Sequence, residues 1–407
     1  MKQGWEVKKL GELCELITKG TTPTSLGHQF TDEGINFIKV ESLTESGKII
    51  SNKVAYISEE CHQVLKRSQL KENDILFSIA GALGRIGIVN KDILPANTNQ
   101  ALAIIRLSKD VNILISYLAR YFNSSLISDE IEKLKGGAAQ QNLSLGQLNN
   151  LEIPIPPLQE QQRIVAILDE AFSAIDKAKA NTEQNLKNAK ELFESELQRV
   201  FSEKGDGWEE KKLNEITEVK DGTHDSPKYI PEGIPFVTQK NIKPDGMTFE
   251  GTKYITDLDH EKFYKRSNVT KNDILISMIG ANRGMAAIVD DERVFSIKNV
   301  GLIKSNDNIN THFLLYYLKS SLAMKYVLYM SNGGAQEFIG LTALRSFLIP
   351  YPPIKDQQTL VSKLDALREQ TKKLEAVYEK KLRDLEELKK SVLSRAFSGE
   401  LTIKEVV

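Results

Sequence analysis

The strongest constraint on this chain is that it says almost everything twice. Gly4-Trp5-Glu6-Val7-Lys8-Lys9-Leu10 returns as Gly207-Trp208-Glu209-Glu210-Lys211-Lys212-Leu213, and these segments hold the only two tryptophans. Asn73-Asp74-Ile75-Leu76 returns as Asn272-Asp273-Ile274-Leu275, and Gly136-Gly137-Ala138 as Gly333-Gly334-Ala335. Ile153-Pro154-Ile155-Pro156-Pro157-Leu158 returns as Ile349-Pro350-Tyr351-Pro352-Pro353-Ile354, Gln161-Gln162 as Gln357-Gln358, and Arg199-Val200-Phe201-Ser202 as Arg395-Ala396-Phe397-Ser398. The spacing stays between 196 and 203 residues throughout. That is one unit of about 200 residues duplicated, not a solenoid of short repeats.

Each copy has two parts. Residues 1–155 and 205–352 mix short β-type runs with glycine turns, for example Ile35 to Val40, Asp74 to Ile79 and Ala101 to Ile105. A helical stretch follows near 113–134 and 310–330, so each domain is expected to be α+β with a curved sheet. Segments 156–204 and 353–400 come next, leaving 401–407 as a tail. After the Pro-Pro breaks, residues 159–203 and 355–398 contain neither proline nor glycine, which predicts two long helices. In the second, Leu360, Leu364, Leu367, Thr371, Leu374, Tyr378, Leu385, Leu388 and Val392 trace a heptad seam interrupted at Lys381. The first is looser, with Ile164, Leu168, Ala171, Ile175, Ala178, Ala189 and Phe193 in phase. Each helix would span roughly 60 Å, and an apolar stripe of that length needs a partner. The duplication supplies one, so the two helices are expected to pack as an antiparallel coiled coil.

Lys plus Arg number 54 against 55 Asp plus Glu, a formal net charge of −1. That balance excludes an autonomous, strongly basic coat protein for nucleic acid. It leaves room for a reader whose basic residues share one face, or whose partner supplies the charge. Cys14 and Cys61 make neither a disulfide framework nor a zinc pattern, and the five histidines are scattered. No apolar run is long enough for a membrane span, and the N-terminus lacks an apolar signal core, so a cytoplasmic protein off the membrane is expected. Catalytic motifs are missing as well. The Pro-Pro pairs lack the polar residue before and the aromatic after that an adenine methyltransferase needs to grip a flipped base. There is no phosphate-binding Gly-x4-Gly-Lys-Ser/Thr. Asp384, Glu387 and Lys389 mimic a nuclease triad but lie in a charged helix, where a solvated face explains them. No enzymatic activity is expected of the chain alone.

Two related domains tied to two related helices make a covalent pseudo-dimer, comparable in principle to symmetric DNA readers whose half-site spacing a rigid spacer sets. The loops at matched places differ, Lys19-Gly20-Thr21-Thr22-Pro23 against Asp221-Gly222-Thr223-His224-Asp225, so the half-sites would differ too. The combination of the Trp-Glu-x-Lys-Lys-Leu openings, the Gly-Gly loops, Ile-Pro-x-Pro-Pro-Leu/Ile, Gln-Gln opening a long helix, and the closing Phe397-Ser398-Gly399-Glu400-Leu401 resembles the specificity (S) subunit of type I restriction–modification systems. The resemblance covers the whole chain, twice. The second copy departs from the first in reading Lys355-Asp356 for Gln159-Glu160. What it implies is two target recognition domains, each reading half of a gapped double-stranded DNA site. The helices would be spacer and docking surface for two modification (M) subunits, which hold S-adenosylmethionine and methylate adenine. Restriction (R) subunits, bringing ATP, Mg and cleavage, would be an optional addition. The chain itself would bind no cofactor or metal and perform no chemistry.

Reading bases needs Arg, Lys, Asn or Gln at the groove, and phosphates take Lys, Arg, hydroxyls and backbone N–H groups. In the first domain the candidates are Lys19, Thr21, Thr22, Lys39, Arg85, Asn99 and Gln100, with Gly136 and Gly137 as a phosphate-approaching loop. In the second they are Thr223, His224, Lys240, Asn241, Arg283, Lys298 and Asn299, with Gly333 and Gly334. The plainer reading of any one lysine is a solvated surface charge, and of the Gly-Gly loops a turn into the helix. Trp5 and Trp208 are expected as core anchors. Gln161, Gln162, Gln357 and Gln358 either cap the helix starts or meet an M subunit. The competing class is a coiled-coil interaction scaffold with no sequence-specific DNA binding; steep salt dependence of DNA affinity separates the two.

Overall fold

The computed structural model describes residues 4–44, 47–134, 142–331 and 338–400. They form two compact units, residues 1–182 with 380–407, and residues 183–379. Each unit therefore holds one α+β domain and half of each long helix.

In the first unit the main sheet is antiparallel, in the order Cys14–Lys19, Leu102–Leu107, Ile75–Ser78, Ile86–Ile88. Strand alternation divides its side chains between two cores. Ile75, Phe77, Ala103 and Ile105 face the cluster built with the helices, whereas Leu76, Leu102 and Ile104 face Ile38, Val89 and Ala96. Both faces being covered, the central strand reads as a continuous apolar run with no polar alternation. A second sheet orders Phe30–Thr31, Ala55–Ile57, Ile35–Ile38 and Ala96–Thr98, and its last pair is parallel. The second unit repeats this plan. Val219–Asp221, Val300–Ile303, Ile274–Ser277 and Ala286–Ile288 form the main sheet, and Lys253–Ile255, Ile234–Thr238 and Ser296–Lys298 the other. Each main sheet buries one matched ion pair, Asp74 with Arg106 at 2.7 Å and Asp273 with Lys304 at 2.6 Å.

The repeated landmarks meet in space. Glu6–Lys9 pairs with Glu152–Ile155, and Glu209–Lys212 with Leu348–Tyr351. The Trp-Glu opening and the Ile-Pro closing thus clasp each domain just before its long helix starts. Trp5 and Trp208 are half-buried against the two cores.

The helical stretch expected over 113–134 is two helices, Ile115–Phe122 and Ser125–Leu134, and its counterpart is Thr311–Lys319 and Ser321–Met330. Buried Ser124 and Ser320 break them: their hydroxyls turn back onto the carbonyls of Tyr121 and Tyr317, both at 2.6 Å, competing with helix continuation.

The long helices run Leu158–Glu203 and Ile354–Ser398. In the first unit, Asp176 pairs with Lys389 at 3.3 Å and Lys179 with Glu386 at 2.5 Å, so these segments run in opposite directions. In the second, Leu197 and Phe201 share a core with Val361 and Leu364. The heptad seam needs correcting. Leu364 and Thr371 are buried, but Leu374 and Leu388 are 41% and 48% exposed. Leu393, Ala396 and Phe397, off that seam, are buried against the first domain. Each half-helix packs partly on a domain, and that contact pulls the buried stripe away from a/d spacing.

Candidate nucleic-acid interface

In the first unit, Ile35–Ile38 and Ala96–Thr98 are parallel and end level, with the Thr98 hydroxyl donating to the Ile38 carbonyl at 2.9 Å. The chain therefore leaves as Lys39 and Asn99 side by side. The strand ending at Lys19 crosses onto them: Gly20 N–H donates to Leu102 O at 3.4 Å and Thr21 N–H to Thr98 O at 3.2 Å. A Cβ on Gly20 would lie 2.0 Å from Thr98 O, so only glycine permits this junction. The Thr22 hydroxyl then donates to the Gln100 carboxamide. Ile79 N–H donating to Ala101 O at 2.9 Å brings in the Gly81–Arg85 turn, and Arg85 Nη1 reaches Leu43 O at 3.4 Å. Lys19, Thr21, Thr22, Lys39, Asn99 and Gln100 thus form one cluster, with Arg85 at the far end of the adjoining turn. Lys39 is steadied over the Phe30 ring, 4.4 Å from its centroid.

The second unit builds the same junction from other side chains. Gly222 N–H donates to Val300 O at 2.9 Å and Thr223 N–H to Ile297 O at 3.0 Å. A Cβ on Gly222 would sit 2.3 Å from Ile297 O. Where Thr22 meets Gln100, His224 Nδ1 lies 2.7 Å from Asn299 Oδ1, and its Nε2 lies 3.0 Å from Asp221 Oδ2. Lys298 donates to Ser226 Oγ at 2.6 Å. Arg283 is held by Ser331 Oγ at 3.1 Å and Gly280 O at 3.3 Å. Lys262 donating to Asp225 holds that carboxyl below the usual carboxylate range. His224 and Lys240 are exposed; Lys298, Asn299 and Arg283 are half-buried.

Several expected residues serve the scaffold. Asn241 and Thr223 are each 4% exposed. The Asn241 carboxamide accepts from Thr238 N–H at 3.0 Å and donates to Glu250 O at 3.3 Å, as Ser42 accepts from Lys39 N–H at 3.2 Å and donates to Lys53 O at 2.8 Å. Gln161 and Gln357 are fully buried. Gln161 accepts from Leu114 N–H and donates to the Asn112 and Pro156 carbonyls, at 2.8–2.9 Å. Gln357 repeats this with Asn310 N–H and Pro352 O, both at 2.8 Å. Neither side chain is presented to a partner, which corrects that expectation; Gln162 and Gln358 are exposed. Gly136, Gly137, Gly333 and Gly334 lie outside the described residues.

Two arginines escaped the sequence reading. Arg67 Nε donates to Thr18 Oγ1 at 3.0 Å. Arg266 grips Asp221 through Nε and Nη2 at 2.7–2.9 Å. The signal was available, since Lys66-Arg67-Ser68 recurs as Lys265-Arg266-Ser267. Among the described residues no group of His, Cys, Asp and Glu could hold a metal ion, and no helix is long and apolar enough to cross a membrane.

The family model described as the type I restriction modification DNA specificity domain matches residues 2–188 and again 205–383. The type I restriction enzyme MjaIX specificity subunit of Methanocaldococcus jannaschii is 24% identical, over 99% of this chain and 94% of its own. The EcoKI specificity subunit of Escherichia coli is 21% identical, over 99% and 90%. The HsdS subunit from Thermoanaerobacter tengcongensis shares the fold with a TM-score of 0.67 at 20% identity, covering 98% of both chains. A chain from a solved type I R-M system does so with a TM-score of 0.78 at 20% identity, covering 98% of this chain and 99% of its own. With its family match laid down twice along nearly its whole length, the chain belongs to the type I restriction–modification DNA specificity family.

Proposed function

We propose that this chain is the non-catalytic subunit that gives a type I restriction–modification complex its DNA sequence specificity. Domain 1–155 reads one half of a gapped double-stranded site and domain 205–352 the other. Segments 156–204 and 353–400 pack as an antiparallel coiled coil that spaces the halves and docks two M subunits; 401–407 is a tail. S-adenosylmethionine belongs to the M subunits and ATP with Mg to R subunits where these join, in the cytoplasm. Membership of a DNA specificity family sets aside the scaffold reading.

The observation that carries this is the loop junction built twice on the same backbone bonds but furnished differently. Thr22, Asn99 and Gln100 stand in one copy and His224, Lys298 and Asn299 in the other. Base recognition lives in side chains while the frame fixes their position, so two frames with different side chains suit two unlike half-sites. Lys19, Thr21, Lys39, Arg85, Lys240 and Arg283 complete the contact set, and exposed Gln162 and Gln358 are the remaining docking candidates at the helix starts. The opposed Asp176–Lys389 and Lys179–Glu386 pairs support the antiparallel spacer.

The test is sequencing for methyladenine after co-expressing the chain with its M subunit. A split, asymmetric motif with one methylated adenine in each half is expected, and exchanging residues 1–155 for another recognition domain changes one half only. An uninterrupted motif, or both halves changing, overturns the proposal.

A further inference from the structure

We propose that Arg67 and Arg266 are a matched pair of DNA contacts, one per half-site. Each presents guanidinium N–H donors to one kind of target, an acceptor-rich guanine edge or a backbone phosphate. This rests on the reading above that each domain takes half of the site.

Both arginines occupy the same place in the repeat, at the end of a helical turn packed on the strand that enters the glycine junction. Thr18, which holds Arg67, lies two residues before Gly20. Asp221, which holds Arg266, directly precedes Gly222 and also holds His224. The tether engages only part of each fork. Arg67 uses Nε alone, leaving both Nη groups without a partner among the described residues. Arg266 uses Nε and Nη2, leaving Nη1. The Arg266 side chain is 49% exposed over an Asp221 side chain that is only 8% exposed. A guanidinium acting purely as an internal strut would be enclosed with its donors spent. Here the carboxylate or hydroxyl is inside and the fork projects.

Holding an arginine from behind lowers the rotamer entropy lost when it binds, and the planar fork suits both guanine O6/N7 and phosphate oxygens. The tethers also predict a difference between the copies. Thr18 is neutral, so Arg67 keeps its full charge for the partner, whereas Asp221 offsets part of that of Arg266.

The experiment uses the full chain in complex with its M subunits. Methylation motifs and affinity for the methylated sequence are measured across salt concentrations for wild type, Arg67→Gln, Arg266→Gln and Arg266→Lys. Glutamine can still bond Thr18 or Asp221, and lysine still neutralises Asp221, so a folded variant is available for each domain. If the target is guanine, Arg67→Gln frees one specified position in the first-domain half only and Arg266→Gln frees one in the other half only, while Arg266→Lys, which can still donate to guanine O6/N7, keeps that preference in weaker form. If it is phosphate, the motif stays intact in every variant; in Arg67→Gln and Arg266→Gln affinity falls roughly tenfold and the log–log salt slope drops by about 1, more at Arg67 than at Arg266, whereas Arg266→Lys, which keeps its charge, holds the slope. Unchanged motif, affinity and slope at either arginine, with wild type methylating its gapped motif, overturns the matched pair. A wild type lacking a gapped motif overturns the half-site reading itself, and this proposal with it.

Discussion

Ser68 and Ser267 stand at matched places, yet only one is satisfied. The Ser68 hydroxyl donates to Leu65 O and accepts from Asn97, both at 3.1 Å. In the second copy Ser296 takes the place of Asn97 and bonds His260 instead at 2.8 Å, so the buried Ser267 hydroxyl finds no partner among the described residues. A buried unpaired hydroxyl costs about 1–3 kcal/mol. Ser267→Ala should therefore be neutral or stabilising in urea denaturation, while Ser68→Ala costs about 1 kcal/mol. The buried glutamines behave as Ser68 does. Gln161→Ala removes the partner of three backbone groups, one buried at Pro156 and two part-buried at Asn112 and Leu114, and should cost about 2–3 kcal/mol, against near neutrality for exposed Gln162→Ala. Tyrosines set the alkaline limit. Burial pushes the Tyr121, Tyr316 and Tyr317 hydroxyls up to about 12. Unfolded tyrosine ionises near pH 10, so this stabilisation is complete below pH 10 and is lost as pH rises towards 12. The urea midpoint should fall across that window, and less steeply in Tyr121→Phe.

Among elements, the long helices separate periodicity from burial. Leu364 and Leu374 both fall on the heptad, but Leu364 is 1% exposed and Leu374 is 41% exposed. Leu364→Ala should cost about 2–5 kcal/mol by opening a cavity, and Leu374→Ala less than about 1 kcal/mol, both measured by urea denaturation. The helix bounds were legible because proline and glycine are absent between clear punctuation. The buried stripe was not, because each half-helix answers to a domain surface that a single-helix pattern does not contain.

For the whole molecule, a net charge of −1 supplies little long-range attraction to duplex DNA. The isolated chain should bind duplex weakly at physiological salt, and its complex with M subunits tightly, with affinity falling steeply as salt rises. Tight, salt-insensitive binding by the chain alone in a titration would contradict this.

By itself the sequence determined the duplication, the α+β domains, the two helix lengths and the family, since these rest on local pattern and on order along the chain. The tertiary structure alone decided which side chains gather. Residues 19–22, 39, 67 and 97–100 converge because parallel strands end level and a glycine lets two loops touch. It also decided which candidates are spent inside, as Asn241, Gln161 and Gln357 are. A polar side chain's role depends on the partner within about 3 Å, and that partner lies tens of residues away in sequence.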